Sequence, residues 1–288
     1  MKRLGLSTLL LAIVVIWGWT FVVVKDAVAV VGVLPFLAVR FAIGAACVAP
    51  FAARHGQRRS FITGAWIGTV LTAAYLLQTL GLHSSTATNT GLITGLFIVF
   101  APLANRVLFG VPTSSLLWAA IAVSLCGLAL LTGAGPQGLQ PGDPLTLGCA
   151  ACFGLHVALL DRYSKGHRAV TLAAGQLSTA AVVFACLWVI REPLAWPPAD
   201  VWPALLLTGG IATAAAFFVQ TYVQQRLSAV ETGMIILTEP IFAAIFGQLL
   251  MGDRLSGPQV FGAVLMVAAV FATELIPLIR GVRTIERP

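Results

Sequence analysis

The stretch QTLGLHSSTATNTGLI, residues 78–93, returns 142 positions later (220 − 78) as QTYVQQRLSAVETGMI, residues 220–235. Both stretches begin with Gln-Thr, and the Thr-Gly pair at Thr90 falls opposite the Thr-Gly pair at Thr232. A constant offset over a stretch of this length indicates that the chain consists of two related halves.

The composition predicts that both halves lie in a membrane. Of 288 residues, 59% are hydrophobic and only 9% are charged, whereas soluble domains carry about 25% charged residues. A bilayer core of ~30 Å needs ~20 helical residues to cross it, and apolar runs of that length recur along the chain. This pattern leaves no segment for a soluble domain.

We predict an all-α integral membrane protein. Only helices and closed barrels satisfy their backbone in lipid, and these runs are too apolar for alternating barrel strands. Lys2 and Arg3 before the first run also fit a signal peptide, but no small-residue cleavage site follows that run. The expected ten transmembrane helices lie at residues 4–24, 33–53, 61–82, 88–109, 115–133, 143–162, 169–190, 201–223, 230–251 and 257–279.

The repeat divides the ten helices into two sets of five. The first five-helix repeat is expected at residues 1–135 and the second at 143–288, with the Gly/Pro-rich loop GAGPQGLQPGD, residues 133–143, between them. Because five is odd, the second repeat enters the membrane inverted. Inverted repeats are typical of secondary transporters, with the substrate site near the midplane between the halves.

The net charge of +7 indicates the orientation. With both termini cytoplasmic, thirteen of the 17 Lys and Arg residues fall on the inner side, Lys25, Arg191 and Arg254 fall outside, and Arg40 lies within a span. The basic balance is therefore explained by the lipid bilayer and predicts no nucleic-acid partner.

Four stretches together resemble the drug/metabolite transporter superfamily, in its EamA-type ten-helix branch: WGWTFVVVKDAV (17–28), RFAIGAACVAPF (40–51), TNTGLITGLFIVFAPLANRVLFG (88–110) and ETGMIILTEPIFAAIFGQLLMGDRLSG (231–257). The resemblance implies export of amino acids and other small metabolites, with the aromatic amino-acid exporters as one branch. The chain departs from the family pattern where Val111 replaces a glutamate and Ile98 replaces a proline.

Glu239 and Pro240 interrupt the apolar stretch IILTEPIFAAIF, residues 235–246. Glu239 is expected ~14 Å from the inner end of its span by helical rise. A charge at that depth costs ~2.5–3.5 kcal/mol, so it should face a cavity or a partner. The glutamate is predicted to take a proton, to hold a substrate ammonium, or to brace a kink at Pro240.

Arg40 and His156 are the other titratable side chains deep within predicted spans. Arg40 would bind a substrate carboxylate, pair with Glu239, or extend toward the outer surface as a structural residue, and we favour the last of these. His156 would carry protons together with Glu239, or pack as a satisfied core histidine.

The remaining candidates are polar and aromatic side chains of repeat-related spans, which suit a polar ligand with apolar parts. Each of them also has a structural interpretation, as a hydrogen-bonding residue between helices or an interfacial anchor. The predicted substrate-binding set is Trp17, Trp19, Tyr75, Gln78, Thr90, Thr94, His156, Gln220, Thr238 and Glu239, with Asn89 and Thr232 as neighbours.

These features predict export of small metabolites by alternating access in the cell (inner) membrane, with aromatic or bulky neutral amino acids as substrates. Drugs, nucleobases or lipid-linked sugars are alternative substrates, and a channel is an alternative class. An enzyme is not expected, since the chain has no G-x-S-x-G and no H-E-x-x-H. We expect no cofactor and no metal, and the Cys149-x-x-Cys152 pair is interpreted as packing. Oligomeric state and energy source stay open.

Overall fold

The computed structural model describes residues 3–54, 57–110, 115–133, 140–227 and 238–279, together with Thr232, Ile235 and Ile236. Within these residues all regular secondary structure is helical. The helices are α1 (Arg3–Val31), α2 (Val33–Ala53), α3 (Arg58–His83), α4 (Ala87–Thr94), α5 (Phe97–Phe109), α6 (Ser115–Gly133), α7 (Asp143–Tyr163), α8 (Ala169–Arg191), α9 (Ala199–Gln224), α10 (Glu239–Met251) and α11 (Gly257–Ile279).

The predicted all-α membrane class is confirmed. Among the described residues, seven helical stretches are long and apolar enough to cross a bilayer: α1, α2, α3, α4 with α5, α7, α8 and α9. Two further stretches are apolar but shorter, Glu239–Met251 and Gly257–Ala269. The ninth expected span, residues 230–251, lies partly outside the described residues, so the count of ten spans stays a prediction.

The first helix is longer than predicted. We expected a span at residues 4–24, but α1 continues through Lys25 and Asp26 to Val31. The two charges do not end the helix because apolar residues follow them, and Lys25 Nζ donates to the Ser85 carbonyl oxygen. Gly32 ends it instead, at a φ of 83° that favours glycine.

The repeat is visible in the bounds of the helices. The helix α5 begins at Phe97 and ends at Phe109, and α10 begins and ends 142 residues later, at Glu239 and Met251. Each is followed by a glycine in the left-handed region, with φ of 67° at both Gly110 and Gly252. These matching bounds support the division into two five-helix repeats.

Two pairs of repeat-related helices pack against each other, α2 against α8 and α6 against α11, and α4 packs against α10. Glycines permit close approach at equivalent places. Gly18 of α1 faces Phe242 of α10, and Gly154 of α7 faces Phe100 of α5. The contacts are reciprocal, which is the packing expected of two inverted halves, and they leave space between the halves.

A methyl group at Gly64 should destabilise this packing. Its Cβ would overlap the carbonyl oxygen of Leu172, a backbone atom of α8 that cannot rotate away. We expect Gly64→Ala to lower the free energy of unfolding by about 1–3 kcal/mol. The midpoint of thermal unfolding in detergent measures this effect. Gly210→Ala is the matched control, since nothing lies within 4 Å of that Cβ, and equal midpoints for the two variants would contradict the prediction.

Candidate functional site

A cavity lies between the two halves. It contains about 660 Å³ of space that no atom occupies, a value that includes space open to solvent. Its lining combines aromatic side chains, polar side chains and a few aliphatic ones. The residues are Trp17, Phe21, Tyr75, Phe97, Phe153 and Phe217; Thr20, Arg40, Gln78, Thr79, Thr94, His156, Gln220 and Glu239; and Val24, Leu82, Val157 and Ile236.

The aromatic side chains form one connected wall. The ring centroid of Tyr75 lies 5.3 Å from that of Phe153 and 5.9 Å from that of Phe217, both edge-on. Trp17 lies 5.8 Å from Phe217, and the His156 ring lies 6.1 Å from it. Edge-to-face contacts of this kind favour defined ring orientations. The wall therefore offers a fixed apolar surface.

A π-helical segment of α9, Leu207–Ala215, positions two of the cavity side chains. The Ala212 carbonyl oxygen accepts a hydrogen bond of 2.8 Å from Trp17 Nε1, and Thr213 Oγ1 accepts one of 2.9 Å from Arg40 Nε. A π turn shifts the helical pattern and redirects backbone and side-chain groups, and such turns are frequent at functional sites. Here it supplies one acceptor to Trp17 of α1 and one to Arg40 of α2.

Arg40 is buried, and the expectation that it extends toward the outer surface is wrong. Only 3% of its surface is accessible, and its Cζ lies 4.9 Å from the centroid of the Tyr75 ring. The hydrogen bond to Thr213 and the aromatic face hold the guanidinium inside, where a cation over a ring is stabilised. Among the described residues, no carboxylate lies within ion-pair distance of it, so the alternative pair with Glu239 is not formed either.

Glu239 and Pro240 lie at the start of α10, which corrects the expected kink in mid-helix. Thr238 is the N-cap residue, and Pro240 occupies the first turn. Backbone N–H groups of a first turn have no intrahelical acceptor, so proline is tolerated there. The carboxylate also benefits from the positive end of the helix dipole. The half-buried Glu239 side chain lines the cavity.

The first half contains a matching break. The single span expected at residues 88–109 is two helices, since α4 ends at Thr94 and α5 begins at Phe97. Pro240 packs against Gly95 at this break. Thr94 lies in the last turn of α4 and accepts a long hydrogen bond of 3.5 Å from Gln78 Nε2. Two interrupted helices therefore meet at the cavity, an arrangement that transporters use near the bilayer midplane.

His156 is held by α8. Its Nε2 lies 2.6 Å from Gln176 Oε1, and Gln176 Nε2 donates to the Leu172 carbonyl oxygen at 3.4 Å. With the amide assigned in this way, the imidazole donates from Nε2. The bond orients one edge of the ring toward α8, while the ring also lines the cavity.

Seven of the ten predicted site residues line the cavity: Trp17, Tyr75, Gln78, Thr94, His156, Gln220 and Glu239. Trp19 does not, because two residues turn an α-helix by ~200° and place it on the face opposite Trp17. Thr90 is fully buried outside the lining, as are Asn89 and Thr232. Thr238 donates to the Ile235 carbonyl oxygen instead. A role in substrate binding stays a prediction for the whole set.

The sequence reasoning missed several aromatic side chains, although a signal for them existed. Phe153 lies three residues before His156, and Phe217 lies three residues before Gln220, so each shares a helix face with a predicted polar residue. The inward direction of Arg40 had no comparable signal, because it depends on the π-helical segment of α9.

The arrangement offers complementary charges rather than reactive groups. Among the described residues, no group of three or more His, Cys, Asp or Glu side chains lies close enough to hold a metal ion. The cavity has one guanidinium and one carboxylate beside its aromatic wall. These groups suit binding of a ligand that carries both charges.

A hydrogen-bonded network joins several helices at the end of the bundle where α1 and α3 finish, which we call the Lys25 end. Lys25 Nζ donates to the Ser85 carbonyl oxygen, and Ser85 Oγ donates to Asp143 Oδ1 at 2.6 Å. Thr88 N donates to Asp253 Oδ2 at 2.9 Å. The first two contacts link α1, the loop before α4 and α7, and the third links α4 to the segment after α10.

Thr213→Val should weaken the hold on Arg40. Valine matches threonine in shape but removes the acceptor for Arg40 Nε, and hydrogen bonds to charged groups contribute about 1.5–3 kcal/mol. We expect a lower midpoint of thermal unfolding in detergent. Thr213→Ser retains the hydroxyl and should stay close to the unsubstituted protein, whereas a valine variant as stable as the serine variant would contradict this role.

Comparisons with known proteins agree with this geometry. The chain matches the EamA-like transporter family twice, over residues 5–133 and over residues 140–274. The chain is 30% identical over 274 residues, 95% of its length, to an uncharacterized transporter of Archaeoglobus fulgidus, of which the match covers 87%. It is 26% identical over 134 residues to the threonine/homoserine exporter RhtA of Salmonella typhimurium, covering 46% of this chain and 45% of that one.

A solved crystal structure shares the fold. It superposes with a TM-score of 0.69 at 18% sequence identity and covers 96% of this chain and 99% of its own. The family match extends over both halves, and the resemblance noted in the sequence is thereby confirmed. The chain belongs to the EamA-like transporter family.

Proposed function

We propose that this protein is a secondary transporter of the cell (inner) membrane that exports amino acids by alternating access. The observation that carries the proposal is the cavity between the repeat-related halves, in which Arg40 and Glu239 accompany an aromatic wall. The family membership establishes a multi-pass membrane transporter. The substrate class is argued from the cavity.

The two charges suit the two ends of an amino acid. A buried guanidinium without a carboxylate partner is costly in a membrane interior, and its planar N–H groups match a carboxylate. A substrate α-carboxylate would therefore bind at Arg40. Glu239 would hold the α-ammonium, because its carboxylate faces the same cavity. A ligand without charged groups would leave both charges uncompensated.

The aromatic wall suits an apolar or aromatic side chain. Trp17, Tyr75, Phe153 and Phe217 present ring faces and edges to the cavity, which supports aromatic or bulky neutral amino acids as substrates. The exporters named threonine/homoserine exporter RhtA, which match half of the chain, support the amino-acid class and extend the panel to smaller side chains.

Alternating access requires the cavity to close at each end in turn. With both termini cytoplasmic, the Lys25 end is the outer one, and Val24 and Leu82 line the cavity just inside it. The network at this end would be the outer gate. Its acid Asp253 has Val111 as repeat counterpart, a residue outside the described ranges that brings no carboxylate. The two ends therefore close by different interactions.

Counterflow in proteoliposomes tests the proposal. Vesicles loaded with unlabelled amino acids should take up labelled ones. Arg40→Gln and Glu239→Gln should each lower uptake by about tenfold or more, because each removes the protein's charge from one of the two proposed ion pairs with the substrate. Arg191→Gln and Glu192→Gln are matched controls outside the cavity lining and should exchange normally. Folded protein that exchanges no amino acid would refute the proposal and direct the search to nucleobases, drugs and sugars.

A pH gradient across the same vesicles tests proton coupling. Of the two candidates, Glu239 is favoured over His156, because Gln176 engages one imidazole nitrogen. We expect accumulation driven by the gradient, and Glu239→Gln should abolish this accumulation while slow exchange persists. Exchange that ignores the gradient in the unsubstituted protein would instead identify a facilitative exporter.

Asp253→Ala should loosen the outer gate, because it removes the acceptor for Thr88 N. A single cysteine at Val24, in a chain whose five native cysteines are alanine, reports on access from outside. We expect a membrane-impermeant maleimide to modify it several-fold faster in the Asp253→Ala variant. Asp200→Ala, an exposed acid outside the network, is the control. Equal rates in both variants would contradict the gate.

A further inference from the structure

The side-chain oxygen of a glutamine that lines the cavity has no hydrogen-bond partner. The Gln220 side chain is 4% exposed, and its Oε1 is buried without a partner. Other described residues also have buried polar side-chain atoms without a partner, but of all these residues Gln220 is the one that lines the cavity. Buried polar groups are nearly always hydrogen-bonded, so an unpartnered acceptor on a residue that lines the cavity calls for a donor from a ligand.

The repeat shows that the two related glutamines have different surroundings. Gln220 is the counterpart of Gln78 at the offset of 142, and Gln78 donates to the hydroxyl of Thr94. The counterpart of Thr94 at the same offset is Ile236, which also lines the cavity. One half therefore contains a glutamine with its hydroxyl, and the other contains the glutamine with the hydroxyl removed.

The position along α9 separates this group from the charges. Gln220 lies seven residues after Thr213, the residue that holds Arg40, which is ~10 Å along the helix by its rise. Phe217 of the aromatic wall lies between them in the sequence. A substrate whose carboxylate binds at Arg40 would place the end of its side chain, and not its carboxylate, near Gln220.

We propose that Gln220 determines specificity by accepting a hydrogen bond from a hydroxyl group on the substrate's side chain. This inference rests on the proposed amino-acid transport and narrows it to neutral amino acids with a hydroxyl-bearing side chain. A site built to bond a hydroxyl discriminates strongly against the analogue without it, because its polar group is then left unpaired.

Competition counterflow with pairs of amino acids that differ by a hydroxyl tests the inference. Threonine against valine and tyrosine against phenylalanine are the probes. We expect the unsubstituted protein to prefer the hydroxyl-bearing member of at least one pair by about tenfold or more. Gln220→Leu should bring that ratio close to one while uptake of the apolar member persists. Gln248→Leu, at an exposed position of α10, is the control and should keep the ratio.

Ile236→Thr provides an independent variant. It places a hydroxyl at the counterpart of Thr94. If this new O–H donates to Gln220 Oε1, the oxygen has a partner within the protein, and the preference for the substrate hydroxyl should fall. Amino-acid exchange with no hydroxyl preference, or a preference that Gln220→Leu leaves unchanged, would overturn the inference and leave amino-acid transport intact. Absence of exchange for every amino acid would refute the proposed function itself, and the inference with it.

Discussion

The buried guanidinium of Arg40 constrains the arrangement of the cavity. A cation in an apolar bundle is tolerated only where acceptors and aromatic faces surround it. Thr213 supplies the acceptor and Tyr75 the aromatic face. Arg40 of α2 therefore contacts both α9 and α3. The π-helical segment of α9 carries Thr213, so an irregular helix in the second half is matched to a charge in the first.

The two halves share a fold without sharing their chemistry. Several backbone features recur in both halves: the helix bounds, the left-handed glycines and the reciprocal glycine contacts. They recur because the helices of the two halves pack in the same way. The charges do not repeat. The counterpart of Arg40 is Gln176, at the offset of 136 that relates α2 to α8, and the counterpart of Glu239 is Phe97, at the offset of 142. Unequal side chains on equivalent backbones make the cavity asymmetric, with its guanidinium from one half and its carboxylate from the other.

Periodicity and composition were sufficient for the membrane class, most helix bounds and the position of seven of the ten candidate residues in the cavity lining, because apolar length and repeat offset are properties of the chain alone. The limits arose where tertiary contacts decide the outcome. The α1 helix runs past Lys25 since a carbonyl of another segment accepts from it. Arg40 is held inside by a residue of the π-helical segment of α9, and the sequence around Arg40 gives no sign of that segment. Trp19 was assigned by residue type, although its helix phase places it opposite Trp17.

Glu239 and Pro240 are retained together because each makes the other's position less costly. A proline within a continuous membrane helix would leave a carbonyl unsatisfied, whereas at the first turn of α10 its missing N–H removes a donor that has no intrahelical acceptor. The helix start that tolerates the proline also places the positive end of the dipole beside the carboxylate. Pro240 in turn packs on Gly95, at the break in the other half. The carboxylate therefore lies beside the contact between the start of α10 and the break in the first half.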